Sequence, residues 1–356
     1  MTSTSSDPRK RILQYGSLAA WPYWLAEALK AIDVPSINVI PEETDVHDLD
    51  RRLPFHEAIC ASSTPRLVKV ARRAAFLATI PSRFSLVHYH GSQVLRGNRH
   101  HLLEGRYLAA RGVPMLISFG GGDARIVEQA RARNPYFYRE ADPARDEKIR
   151  AYLKSVSRYI RFVATDCEMV EYVAPYFEKV FIFRQPLDLR RIEFNAPNVD
   201  RAPVFLHVPT EPKVKGTEEI AAAFEQLRRE GHAFEFKQMR RLTQTEFYRE
   251  LAACDVYVDE LRCGSYGVSA VEAMASGKPT VTYIRPDLVR EYPPELPLVN
   301  ANPDTITSVL RQLICEPKWR GDLAVQSRRF VEKYHDSLVV ARDMMDIYRQ
   351  VGLGPA

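Results

Sequence analysis

The chain has 356 residues, 46% of them hydrophobic and 27% charged, with a formal net charge of +5. That length suits two domains better than one core, and the composition excludes wholesale disorder. No apolar run approaches the ~18–20 residues that span a bilayer, and so small a net charge does not by itself announce a nucleic-acid binder. The polar start MTSTSSDPRKR lacks the apolar core of a secretory signal and reads as a frayed tail. Cys60, Cys167, Cys254, Cys263 and Cys315 are odd in number and form no C-x-x-C pair, which fits incidental thiols in a reducing cytoplasm.

In chain order, RILQYGS reads as a strand entering a Gly-Ser turn, and WPYWLAEALKAI as its helix. SINVI, SLVHYH, VPMLISF, RFVAT and VFIFR are further strands, separated by helical patterns of ten or more residues. This alternation predicts parallel sheets with crossover helices. Between Arg51 and Arg83 the chain is basic: Arg51, Arg52, Arg66, Lys69, Arg72, Arg73 and Arg83 stand against Glu57 alone. The segment RLVKVARRAAFLATI within it is apolar at helical spacing. Two readings are open: a surface helix packed on the N-terminal sheet, or a dock over residues 66–83 for an acidic acceptor or an anionic membrane surface. ARARNPYFYREADPARD reads as a surface excursion.

Proline-rich, aperiodic QPLDLRRIEFNAPNVDRAP reads as a linker. The pattern then restarts with VFLHV, TEEIAAAFEQLRREG, FEFKQM, TEFYRELAAC and DVYVDEL, and closes with VSAVEAMASG and PTVTYI. The expected architecture is α/β: two facing doubly wound Rossmann-like domains with a cleft between them. Residues 1–190 form the N-terminal domain and 191–322 the C-terminal one. A C-terminal segment, 323–356, crosses back to the first domain, its helix running from about Leu323 to Arg349.

The stretch DELRCGSYGVSAVEAMASGKPTV carries the chemistry. Its strand should end at the carboxyl edge of the sheet, where ligands of open α/β folds bind. Gly264, Ser265, Tyr266 and Gly267 then form a loop that lets backbone amides approach a ligand. The helix opening at Val268 adds first-turn N–H groups without intrahelical partners and a positive dipole end, which suit a diphosphate. Glu272, one turn on, could accept two ribose hydroxyls. An ordinary βα unit with a surface Glu is the alternative reading.

GVSAVEAMASGKPTV resembles the nucleotide-sugar site of retaining GT-B glycosyltransferases, the glycogen-synthase-like or bacterial group 1 family, whose members carry E-x₇-E followed by A-M-A-x-G-x-P-V. The resemblance makes Glu272 the ribose ligand. VPTEPKVKGTEEIAAAFEQL resembles the same family's phosphate loop, implying that Lys213 and Lys215 hold the diphosphate, and the base would lie near Met239, Arg240 and Arg241. SFGGGDAR resembles F-H-G-S-D-x-R, with Asp123 and Arg125 kept. The likeness is strong over the last 150 or so residues and holds in outline over the N-terminal half.

Two departures stand out. Gly264 occupies the place of the first Glu, and Gly120 that of the His. With Gly16, these are the expected sugar-pocket glycines. Three explanations are open: room for a bulky or unusual sugar, replacement of the lost hydrogen bonds by His90 or Ser265, or loss of catalysis. The expected catalytic set is His90, Asp123 and Arg125; His90 would face the cleft as a sugar ligand, acid or base, or serve as a structural residue beside His88. Asp123 would orient the acceptor or cap the helix of DARIVEQARAR. The implied activity is transfer of a sugar from a nucleotide-diphosphate donor to a small-molecule or glycan acceptor. Retention, no metal, no cofactor and no nucleic-acid partner are expected. Alternatives are an inverting transferase, an inactive nucleotide-sugar-binding subunit and an epimerase. Asp48-Leu49-Asp50 is the one D-x-D triplet, and no strand visibly ends there.

Overall fold

A computed structural model describes residues 10–43, 53–91 and 100–354. The D-x-D triplet at 48–50, the basic pair at 51–52 and the N-terminal tail lie outside the described residues. The chain divides into two compact units, residues 1–126, 143–186 and 337–356 in the first, 127–142 and 187–336 in the second.

The first unit is built on a parallel seven-stranded sheet: β1 (Arg11–Gly16), β2 (Ser36–Glu42), β3 (Glu57–Cys60), β4 (Phe84–His90), β5 (Met115–Phe119), β6 (Phe162–Thr165) and β7 (Lys179–Ile182), in the order β3-β2-β1-β4-β5-β6-β7. The reversal of strand order between β1 and β4 is the doubly wound pattern. Helices α1 (Trp21–Ala31), α2 (Arg66–Arg83), α3 (His100–Ala110), α5 (Pro143–Val156) and α6 (Val170–Val173) connect the strands, and α13 (Ser337–Val351) returns from the chain's end. Gln14 and His88 are register partners, so they share a sheet face with His90 two residues on. Onto that face comes Tyr348 of α13, whose hydroxyl lies 2.9 Å from Gln14 Nε2 and 2.8 Å from His88 Nδ1.

The second unit has a parallel five-stranded sheet in the order β12-β11-β10-β8-β9: β8 (Val204–His207), β9 (Glu235–Gln238), β10 (Val256–Val258), β11 (Thr280–Thr282) and β12 (Val299–Asn300). Its helices are α4 (Val127–Arg133), α7 (Pro212–Lys215), α8 (Thr217–Arg229), α9 (Gln244–Ala253), α10 (Val268–Ala275), α11 (Ile306–Cys315) and α12 (Pro317–Tyr334). Phe205, Ile220, Phe224, Leu227, Val256 and Leu310 form part of one buried core between sheet and helices, each side chain contributing ~1.5–3 kcal/mol on removal from water. Helix α9 opens with a reciprocal capping box between Thr243 and Glu246.

Three differences from expectation have physical causes. Strands β3 and β12 are short edge elements, too brief to show a period of two. The helix expected from Leu323 to Arg349 is two helices, α12 and α13, interrupted at His335 and Asp336; there the backbone N–H of Leu187 donates to His335 O at 2.8 Å. The basic helix α2 packs on the sheet through a narrow apolar edge, Phe76 against Tyr15 and Phe84 with Ile80 buried beside it, and leaves Leu67, Val68 and Val70 exposed.

Candidate functional site

At the carboxyl edge of the five-stranded sheet, two loops are tied together. The loop after β8 runs through α7 to Gly216, whose φ of 69° reverses the chain into α8. His207, at the end of β8, holds both sides of this loop: Nδ1 bonds Val258 O at 2.8 Å and Nε2 bonds Thr217 Oγ1 at 2.9 Å. Burial pushes its pKa down to about 4, so the ring is neutral and strictly a clasp at neutral pH. The backbone N–H of Leu261, in the loop after β10, donates to Lys215 O at 3.2 Å.

Inside this clasp lies an ion cluster. Lys215 Nζ is 2.7 Å from Asp259 Oδ1 and 3.5 Å from Glu260 Oε2, and all three side chains are buried. Burial alone would lower the lysine pKa; the two carboxylates outweigh it and raise the pKa, so Lys215 is charged. Ser269 Oγ, in the first turn of α10, donates to the same Asp259 oxygen at 2.8 Å. One carboxylate oxygen thus joins the expected phosphate lysine to the expected phosphate helix. Asp259 Oδ2 is buried and takes no hydrogen bond among the described residues. Lys213 is exposed.

Glu272 is buried rather than a surface residue, and its Oε1 accepts the hydroxyl of Tyr248 on α9 at 2.9 Å. Tyr248 also accepts from Gln244 Nε2 at 3.1 Å and lines a cavity of about 190 Å³ with Arg191, Ile192, Glu193 and Asn195. Met239 packs against the core beneath β8, whereas Arg240 and Arg241 are exposed, Arg241 with a positive φ of 56°. Helix α10 starts at Val268 with Gly267 as its N-cap and no side-chain cap. The side chains of Ser265 and Tyr266 serve the protein: the former pairs with the Tyr292 hydroxyl at 2.8 Å, the latter with His335 Nε2 at 3.1 Å. The Ser265 hydroxyl is therefore not held ready for a sugar.

Gly264 has a φ of 90°, and a Cβ there would lie 3.2 Å from both Arg285 Cβ and Asn134 Nδ2. Asn134 donates to the carbonyls of Arg262 and Cys263 at 2.9 and 3.2 Å, and the N–H of Arg285 donates to Gly264 O at 3.0 Å. The glycine is required by a backbone turn stapled by these two residues. Space for a large sugar is not what it provides.

In the seven-stranded unit the expected catalytic residues are committed internally. His90 is buried with Nε2 2.8 Å from Gln14 Oε1, and burial lowers its pKa to about 3. That corrects the acid–base expectation: a ring neutral far below pH 7 is no general acid near neutrality and only a weak base. Its Nδ1 is buried without a hydrogen-bond partner among the described residues. Arg125 forms a buried two-point pair with Glu168 at 2.7 and 2.6 Å, a geometry that fixes the turn rather than a substrate. Asp123 does not cap α4, which begins four residues later; its Oδ1 accepts the N–H groups of Gly120 and Gly121 at 3.3 and 3.1 Å. A Cβ on Gly120 would meet Leu18 Cδ1 at 2.7 Å, so Leu18 fills the place expected for sugar. Gly16 ends β1 with a φ of 123°.

Asp259, Glu260, Tyr248 and Asn134 were not singled out by sequence reasoning. The first two carried a signal, adjacent acids just past a VYV strand; Tyr248 and Asn134 carried none, since both act across elements distant in sequence.

No family model matches the chain, and no curated protein matches it by sequence. Solved structures do. Sucrose-phosphate synthase from Thermosynechococcus elongatus aligns with a TM-score of 0.66 at 17% identity over 96% of this chain and 99% of that one. HepE of Anabaena, in complex with UDP and glucose, aligns with a TM-score of 0.63 at 12% identity over 96% and 100%. A glycosyltransferase from Rickettsia africae aligns at 0.63 and 11% over 96% and 98%. The fold is therefore the GT-B fold of these transferases.

Proposed function

We propose that the protein is a glycosyltransferase that takes a nucleotide-diphosphate sugar on its C-terminal unit. The observation that carries this reading is the shared Asp259 oxygen, which brings Lys215 to the first turn of α10. In that arrangement an ammonium group and the N–H groups around Tyr266 to Val268 converge on one diphosphate, with Lys213 on the same loop as a second cation. Glu272, one turn further along α10 and steadied by Tyr248, takes the ribose hydroxyls. The base lies beyond β9 near Met239, Arg240 and Arg241. Uracil is the first base to try, because HepE was solved with UDP and glucose.

Departure of the sugar leaves negative charge on the diphosphate and positive charge at the anomeric carbon. Lys215 and the helix terminus stabilise the former. The acceptor hydroxyl then attacks the face the diphosphate leaves and gives its proton to the departing phosphate oxygen, so that the configuration is retained. The buried Asp259 Oδ2 offers an acceptor for a sugar hydroxyl in place of the carboxylate missing at Gly264. His90 Nδ1 and Asp123 are the polar groups at the carboxyl edge of the seven-stranded sheet for the acceptor.

A second reading has a specific observation in its favour. Gly120 and Gly264 stand in place of the two groups expected near the reacting carbon, Leu18 lies beside the first, and Arg125 is paired with Glu168; a nucleotide-sugar-binding subunit without turnover fits these observations too. A thermal-shift screen of UDP, GDP, ADP and dTDP sugars, followed by product analysis, tests both. Stabilisation by one donor class with a retained-configuration product on a glycan or small-molecule acceptor supports the transferase. Stabilisation without any transfer or hydrolysis supports the binding subunit, and an inverted product would require a base the site has not been assigned.

A further inference from the structure

We propose that the outer face of α2 docks on an anionic lipid bilayer. This inference rests on the exposure and charge of one helix and is independent of the donor site. A surface helix ordinarily turns apolar residues inward and charges outward. In α2 Phe76 and Ile80 turn inward, but a second apolar stripe faces outward. At 3.6 residues per turn, Leu67, Val70, Ala71, Ala74 and Ala78 fall on one stripe, and every one is exposed. Leu67 is 83% exposed, Val70 57%, and Val68 at the stripe's margin 40%. Arg66 and Arg72, both exposed, flank the stripe on either side.

The opposite, inward face carries, beside Phe76 and Ile80, cations that would otherwise be expected outside. Lys69 and Arg73 both reach Glu42 on β2. Arg83 stacks over Phe76 and Phe84 at 6.0 and 5.2 Å. Helix α3, beside α2, adds Leu103 at 63% exposure. The sequence has no Asp or Glu between Glu57 and Glu104 to oppose this surface.

An apolar stripe bordered by two arginines matches a bilayer's layering: Leu67 and Val70 enter below the headgroups while the guanidinium groups stay at phosphate depth on their apolar stems. A nucleic acid would gain from the arginines but nothing from Leu67 or Val70. No described helix is long and apolar enough to cross a membrane, so the contact is interfacial.

Co-sedimentation of the full-length protein with vesicles tests the proposal. The expected result is binding to equimolar phosphatidylcholine–phosphatidylglycerol vesicles, weakened by salt, and little to phosphatidylcholine alone. Combining Leu67→Gln with Val70→Gln should lower partitioning at least about tenfold. Combining Arg66→Gln with Arg72→Gln should lower it roughly thirtyfold. Neither pair should move the melting temperature, because all four side chains are exposed. Absence of binding to the anionic vesicles overturns the proposal, as does binding indifferent to either double variant. Equal binding to both vesicle types, retention on a duplex oligonucleotide instead of vesicles, or a dimer that the Leu67→Gln/Val70→Gln variant dissociates while vesicles bind nothing, overturns it too.

Discussion

Both sheets are parallel and doubly wound, in different strand orders, and the polar residues at their carboxyl edges are spent differently. In the five-stranded unit, Lys215, Asp259, Ser269 and Glu272 gather around the opening of α10, and the surrounding bonds orient them without covering the helix terminus with a side-chain cap. In the seven-stranded unit, His88, His90 and Gln14 form a buried chain with Ser118 and Tyr348 that ties α13 to the sheet. Motif residues at strand ends thus surround a helix start without a side-chain cap in one unit and form a structural weld in the other.

Breaking the buried ion pair in each unit separates the two roles most strongly. Lys215→Ala and Arg125→Ala each leave a buried carboxylate without its cation, so each should cost about 3–5 kcal/mol in denaturant unfolding. Only Lys215→Ala should also abolish measurable donor binding in calorimetry at a temperature where both variants are folded. Equal loss of binding in both would erase the distinction.

Acid should come next in size. The folded-state pKa values of His90 and His207, about 3 and about 4, lie below the ordinary value because burial disfavours the charged ring. The unfolded chain therefore binds protons first as pH falls through ~6.5, and stability present above that pH is lost down to the folded values. For His207 the loss is about 3 kcal/mol between pH 6.5 and 4. Replacing His90 or His207 by Gln should flatten the acid limb of its own unit by about 1.4 kcal/mol per pH unit, read by pH-dependent hydrogen exchange in peptides from each unit. An unchanged limb would show that the ring titrates normally in the native state. Smallest is Tyr248→Phe, which removes one hydrogen bond to Glu272: about 1 kcal/mol, or roughly fivefold weaker nucleotide binding with the fold intact. A loss confined to thermal stability would make Tyr248 a packing residue alone.

Much of the fold was legible because it is written in local pattern. Strands such as SLVHYH and VFLHV, and helices closed by Gly231 or Gly277, announce themselves within a few residues. The α10 segment was legible for the same reason, since loop, helix start and Glu272 are consecutive. What sequence reading missed acts at long range. The staple from Asn134 to the carbonyls of Arg262 and Cys263 joins residues more than a hundred positions apart, and no pattern near Asn134 points to it. Gly120 and Gly264 were read as space for a ligand because a glycine in sequence looks the same whether a sugar or Leu18 occupies the space beside it. His90 looked titratable because burial is invisible in a strand that alternates His with His.

The proposed donor site is tested most directly by calorimetric titration of UDP-glucose into the wild-type protein and into Glu272→Gln. The expected result is saturable binding that the substitution weakens ten- to a hundredfold, the worth of a charged hydrogen-bond acceptor of about 1.5–3 kcal/mol, with no change in melting temperature of the unliganded protein beyond a few degrees. Identical affinity for both proteins would place the ribose elsewhere and contradict the account.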